Sequence, residues 1–108
     1  MITVVGSLNM DLVVGAPRMP GLGETLLGSG FFTAPGGKGA NQAVAAARLG
    51  GKVRMIGCVG RDDFGRSLLD SLQSSGVDCG SVERLDGPTG VAVITVVGGN
   101  NFIIVDPG

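Results

Sequence analysis

The chain has 108 residues, 44% of them hydrophobic and 16% charged, and carries a net charge of -1. That length fits one small domain, which buries roughly 65% of the surface its unfolded form exposes, so two lobes around a deep cleft are excluded. The composition also excludes a disordered chain, and the lack of any basic run excludes an electrostatic footprint for nucleic acid or an anionic membrane.

In chain order, the first element is ITVVG, residues 2 to 6, a β-branched apolar run that reads as a buried strand of a parallel sheet. No signal peptide precedes it and no apolar run reaches the ~18 residues of a membrane span, so a soluble, cytoplasmic protein is expected. Residues 7 to 35 are rich in Gly and Pro, with extended candidates at Leu12–Val14 and Leu26–Thr33. The segment is too long for an ordinary connection and reads as an excursion with strands of its own.

Ala40 to Leu49 is helical in pattern, with Ala43, Val44 and Ala47 on one face and Gly50 placed to end it. A second buried strand is expected at Val53–Val59. It contains Cys58, which reads as a buried, reduced thiol and, with the distant Cys79, not as a metal or redox pair. A second helix follows, capped by Asp62 or Asp63, with Phe64, Leu68 and Leu72 recurring every four positions and Gly76 ending it.

The order β-α-β-α predicts an α/β fold with a parallel sheet and right-handed crossovers. Val82–Leu85 is a short strand candidate. Residues 91 to 97 and 102 to 105 then read as a hairpin, with Gly98, Gly99, Asn100 and Asn101 supplying residues that tolerate positive φ. Nothing covers the edges of such a sheet, so the sequence is expected to be the beginning of a larger domain.

Histidine is absent, as are Trp and Tyr, which removes a Ser-His-Asp triad, a Cys-His pair and every histidine metal site. Any acid–base work falls to Asp, Glu or Lys. The loop APGGKGANQ imitates a phosphate loop and fails as one. Phe32 stands where the first Walker glycine belongs and Gly39 where the magnesium-binding hydroxyl belongs, and Gln42 replaces the last glycine of a dinucleotide fingerprint.

Physically, the adjacent Gly36 and Gly37 let backbone approach a ligand closely, and helix-start N–H groups present donors. Asn41 offers a donor and an acceptor that suit hydroxyl groups. A glycine turn with a solvated Lys38 and a capping Asn41 accounts for the same residues equally well. In GSLNMDLV, residues 6 to 13, Asn9 and Asp11 alternate with apolar neighbours and so share one side at the carboxyl end of the first strand, where parallel sheets bind ligands. On those residues alone an Asx turn in solvent is the simpler account. Arg61, Asp62 and Asp63 read as a helix cap and its neighbours, and no carboxylate pair has metal-site spacing.

Together GSLNMDLVV, PGLGETLLG, GGKGANQAVAAARLG, IGCVGRDDFG and TGVAVITVV span essentially the whole chain and resemble the opening of the ribokinase-like (PfkB, minor phosphofructokinase) family of sugar kinases. The resemblance implies the amino-terminal portion of a three-layer α/β/α sandwich with a parallel sheet, plus a β-sheet lid built from residues near 12–34 and 89–105. It implies ATP-dependent transfer of phosphate to the primary hydroxyl of D-ribose, giving ribose 5-phosphate, with Mg2+ and a monovalent cation in the full-length protein and a homodimer formed through the lid.

Carried across, Asn9 and Asp11 would bind sugar hydroxyls, Gly36 and Gly37 would bring backbone to the sugar, and Lys38 and Asn41 would hold further oxygens. The family's catalytic aspartate, its glycine-rich anion hole, its Asn-x-x-Glu segment and its ATP-binding half would lie beyond residue 108. By itself the chain is therefore expected to hold the sugar-side half of a site, with no catalytic residue and no metal ligand, and to be inactive. The alternatives are a kinase of the same family for another sugar or a nucleoside, and a non-catalytic lid or dimerisation module.

Overall fold

The apolar runs separate into two kinds of sheet, and the two helices pack mainly on one of them, α2 also touching β2 and β3 of the other. The computed structural model describes residues 1–108 and orders them as β1 (Ile2–Val5), β2 (Asn9–Gly15), β3 (Ser29–Gly36), α1 (Lys38–Arg48), β4 (Val53–Gly60), α2 (Asp63–Ser74), β5 (Asp78–Leu85), β6 (Gly90–Val97) and β7 (Asn100–Asp106). One sheet has three parallel strands in the order β1-β4-β5, and the other has four in the order β3-β2-β6-β7. In the second sheet β2 and β6 are parallel, while β3 and β7 flank them antiparallel.

Both helices end as their glycines require. Gly50 and Gly76 take positive φ, 94° and 87°, which costs glycine nothing. At α1 the Gly50 and Gly51 N–H groups donate to Ala47 O and Ala46 O, and at α2 the Gly76 and Val77 N–H groups donate to Gln73 O and Leu72 O. Each is a Schellman closure, and at α2 the buried pair Val77 and Leu72 adds the apolar contact that accompanies it.

The core is a cluster of Leu8, Met10, Ala40, Ala43, Val53, Met55, Val59, Leu68, Leu72 and Val77. It lies between the parallel sheet and the helical layer, and Met10 at the near end of β2 closes one side. Because the helices cover a single face, the expectation of a fully buried first strand fails: Ile2 is 47% and Val5 74% exposed. β1 is an edge strand, paired only with β4, and Cys58 in β4 is exposed, not buried as its apolar run suggested, because a residue's side of the strand and not its neighbours' hydropathy sets its burial.

The excursion after β1 does form strands: β2 is longer than its candidate and reaches back to Asn9, and β3 keeps the length of its candidate but is shifted forward to end at Gly36. β5 likewise begins at Asp78, four residues earlier than the apolar pattern suggested. In the β6–β7 hairpin, Val97 pairs with Asn100, so Gly98 and Gly99 alone form the turn and both asparagines belong to β7. Gly98 carries the positive φ, 59°, and neither asparagine does. No helix is long and apolar enough to cross a membrane.

Candidate functional site

Asn9 and Asp11 sit in β2, inside a strand and not in an Asx turn, so their shared side is fixed by the pleat. Their register partners decide what surrounds them. Asn9 lies between Gly36 and Gly90, and Asp11 between Ala34 and Ala92. Cross-strand partners share a face, so the two polar side chains stand among residues with at most a methyl group. The room left by the missing side chains at Gly36 and Gly90 is what the Asp11 carboxylate and the Asn9 amide occupy. Sequence reading missed Ala34, Gly90 and Ala92, because the β2–β3 and β2–β6 pairings join segments about twenty-three and about eighty positions apart and no local pattern encodes either.

Asp11 holds no salt bridge, and burial alone raises its carboxyl above the ordinary value. A half-buried carboxylate without a protein partner has acceptor capacity to spare. Gly36 is the reason it fits: a Cβ there would lie 2.6 Å from Asp11 Cγ. Only glycine lets the carboxylate rest against the β3 backbone.

The following glycines serve the same close approach of chain to chain. Gly37, the N-cap of α1, has φ 94°, and a Cβ on it would sit 2.5 Å from Ser7 O and 3.1 Å from Asn9 N. A Cβ on Gly39 would lie 2.7 Å from Gly6 Cα. The Ala40 N–H donates to Ser7 O at 3.1 Å, which ties the helix start to the connection between β1 and β2. The glycine loop is thus packed against Gly6–Asn9, and this fixes where α1 begins relative to Asn9.

Asn9, Asp11, Gly36 and Gly37 are brought together. Lys38 and Asn41 follow in the first turn of α1, three positions apart and hence on one side of the helix, and both are exposed. Neither is bonded to Asn9 or Asp11. Asn41 does not cap the helix, because the N-cap is Gly37 and no side chain caps it.

A cavity of about 190 Å³ is lined by Cys58, Gly60, Gly87, Thr89, Gly90 and Pro107 among others. None of the six candidate residues borders it. Asn9 and Asp11 themselves are half-buried, beside the buried Gly36, Gly90 and Ala92.

Asp62, read from the sequence as a cap, does cap α2, its Oδ1 accepting from the Gly65 N–H at 2.8 Å. It also reaches Thr89, the first residue of TGVAVITVV, to which sequence reading assigned no role: the Thr89 N–H donates to Asp62 Oδ2 at 2.9 Å and the Thr89 hydroxyl to Oδ1 at 2.5 Å. These bonds hold the Asp62 carboxyl below its ordinary value, the Thr89 hydroxyl contributing most.

Residues 1–108 match the family model described as pfkB family carbohydrate kinase. The chain is 49% identical to a ribokinase of Bacillus subtilis over 108 residues, covering 99% of this chain and 37% of that protein. Among solved structures, a ribokinase from Thermotoga maritima superposes with a TM-score of 0.92 at 40% identity, over 100% of this chain and 36% of that one. An Arabidopsis thaliana ribokinase complexed with ribose and ATP superposes with a TM-score of 0.89 at 37% identity, over 97% of this chain and 35% of that one. The chain spans about a third of the length of the relatives it matches.

Proposed function

Because the chain belongs to the pfkB family of carbohydrate kinases, we propose that it forms the sugar-gripping portion of an ATP-dependent kinase that phosphorylates the primary hydroxyl of D-ribose. The observation that carries this reading is the unpartnered Asp11 carboxylate beside Asn9, on a sheet face cleared by Gly36, Ala34, Gly90 and Ala92. A polyol needs both donors and acceptors, and an amide with a carboxylate supplies them within one strand. Lys38 and Asn41, both on the exposed side of the first turn of α1, add an ammonium and a second amide. Gly37 brings backbone to the same end of the sheet.

The four-stranded sheet is the lid in this reading, β2–β3 and the β6–β7 hairpin being its two segments. A homodimer formed through it has support in the exposed apolar side chains of Phe31, Val93, Phe102 and Ile104. Exposed apolar patches of this kind mark contact surfaces.

ATP, Mg2+ and a monovalent cation would serve the full-length enzyme, and the side chains present here do not fit them. No three His, Cys, Asp or Glu residues converge, and the glycine loop that would cradle phosphate is filled by Ser7 and Asn9. What these residues do is bind and orient the sugar.

Calorimetric titration with ribose tests the reading. Asp11→Ala is expected to weaken ribose binding roughly ten- to a hundredfold, as loss of hydrogen bonds to a charged group does, with the circular dichroism unchanged. Unchanged affinity would remove Asp11 from the site.

A further inference from the structure

The four-stranded sheet meets the α/β layer where the chain crosses between them, at residues 6–8, at Gly36–Gly37 and at residues 86–89. The first two crossings are held by backbone packed on backbone, as Gly6, Gly37 and Gly39 require. The third is held by side chains. Thr89 is the one buried polar residue, 4% exposed. Its hydroxyl accepts from the Gly60 N–H at 2.9 Å while donating to Asp62 Oδ1. Its own N–H donates to Asp62 Oδ2.

The end of β4, the start of α2 and the residue before β6 are thereby joined through one carboxylate and one hydroxyl. Two glycines exist to let this happen. A Cβ on Gly60 would lie 2.5 Å from Thr89 N, and a Cβ on Gly65 would lie 3.0 Å from Thr89 Oγ1.

What the junction holds is next to the candidate site. Gly90 directly follows Thr89, opens β6 and pairs with Asn9, and a Cβ on it would be 2.5 Å from Asn9 Oδ1. Displacing Thr89 by a fraction of an ångström therefore moves the wall beside Asn9. We propose that Asp62 and Thr89 are positioning residues: a latch that sets the height and register of β6 against β2, and through Gly90 fixes the Asn9 amide for ligand. The latch itself stands on geometry alone, and only its effect on ribose rests on the function proposed above.

Three variants of the protein at its natural length test it: Thr89→Val, which keeps the branched shape and removes the hydroxyl, Thr89→Ser, which restores it, and Asp62→Asn, which keeps the helix cap. Amide hydrogen exchange is followed along the whole chain, and ribose affinity is titrated. Thr89→Val is expected to speed exchange in β6 and at Asn9 more than in β4 and α2, and to weaken ribose binding about tenfold. Thr89→Ser is expected to stay within about twofold of the parent in both, and Asp62→Asn to follow Thr89→Val.

Exchange that rises equally in every element would make the bonds ordinary stability and overturn the latch, as would parental exchange in β6. If Thr89→Val does not fold, Asp62→Asn carries the same comparison. If the parent itself does not bind ribose, the sugar reading fails, while the exchange pattern still decides the latch.

Discussion

The two sheets are built on opposite economies. The parallel sheet buries Val53, Met55 and Val59 against Ala40, Ala43, Leu68 and Leu72, and so draws its stability from apolar area. The four-stranded sheet buries little beyond Met10, Val13 and Ala92, and every residue of β7 is exposed. Its strands are held to each other by backbone pairing and to the rest of the molecule at one end. A well-buried layer thus carries a sheet with little apolar burial of its own, with the candidate site at the seam between them.

The largest effect should come from breaking the well-buried side. Met55 is fully buried, and Met55→Ala is expected to cost about 2–5 kcal/mol, a large part of the stability of a domain this size. Thermal or urea unfolding measures it. A loss below about 1 kcal/mol would mean that the parallel sheet is not the main source of stability, and the contrast between the sheets would collapse.

A smaller and differently distributed effect is expected from the sheet that is pinned at one end. By register Phe102 and Ile104 share a face with Thr95 and Val93, and all but Thr95 are exposed large apolar residues. Ile104→Asp should change monomer stability by no more than about 0.5 kcal/mol, in keeping with an exposed position. In sedimentation it should shift any self-association toward monomer. A strongly destabilised monomer would instead show that Ile104 is covered within one chain.

The sequence announced the helices and the tight hairpin far better than the pairing and burial of the strands. Periodicity over residues 40–49 and 64–72, with Gly50 and Gly76 at the ends, located both helices to within about two residues, because helix bounds are written locally. Gly98–Gly99 announced the hairpin for the same reason. The pairing of β2 with β6, and hence the small residues around Asp11, depends on which distant strand lies alongside, and periodicity is silent on that. Thr89 was hidden likewise: it sits 27 positions from Asp62, and only the fold makes a threonine before a glycine into the partner of a helix cap. Even β1 misled, since an apolar run does not say whether both of its faces are covered.

The smallest effect separates two carboxylates that bracket the seam. Asp62 lies below the ordinary 3.8 because Thr89 and Gly65 donate to it, so it stabilises the fold fully above pH 3.8 and loses that contribution as pH falls through its lowered value. Asp11 lies above 3.8 because burial disfavours its charge. It therefore costs stability at neutral pH, and the cost is relieved as pH falls through its raised value toward 3.8. Melting curves collected between pH 7 and 2.5 should show Asp11→Asn slightly more stable than the parent at pH 7, by about 0.5 kcal/mol or less, with the advantage vanishing near pH 4. Asp62→Asn should be less stable at pH 7 and converge on the parent only below pH 3.8. If both variants lost stability at neutral pH, Asp11 would be a structural carboxylate like Asp62, and its free acceptor oxygens could not be read as capacity held open for a ligand.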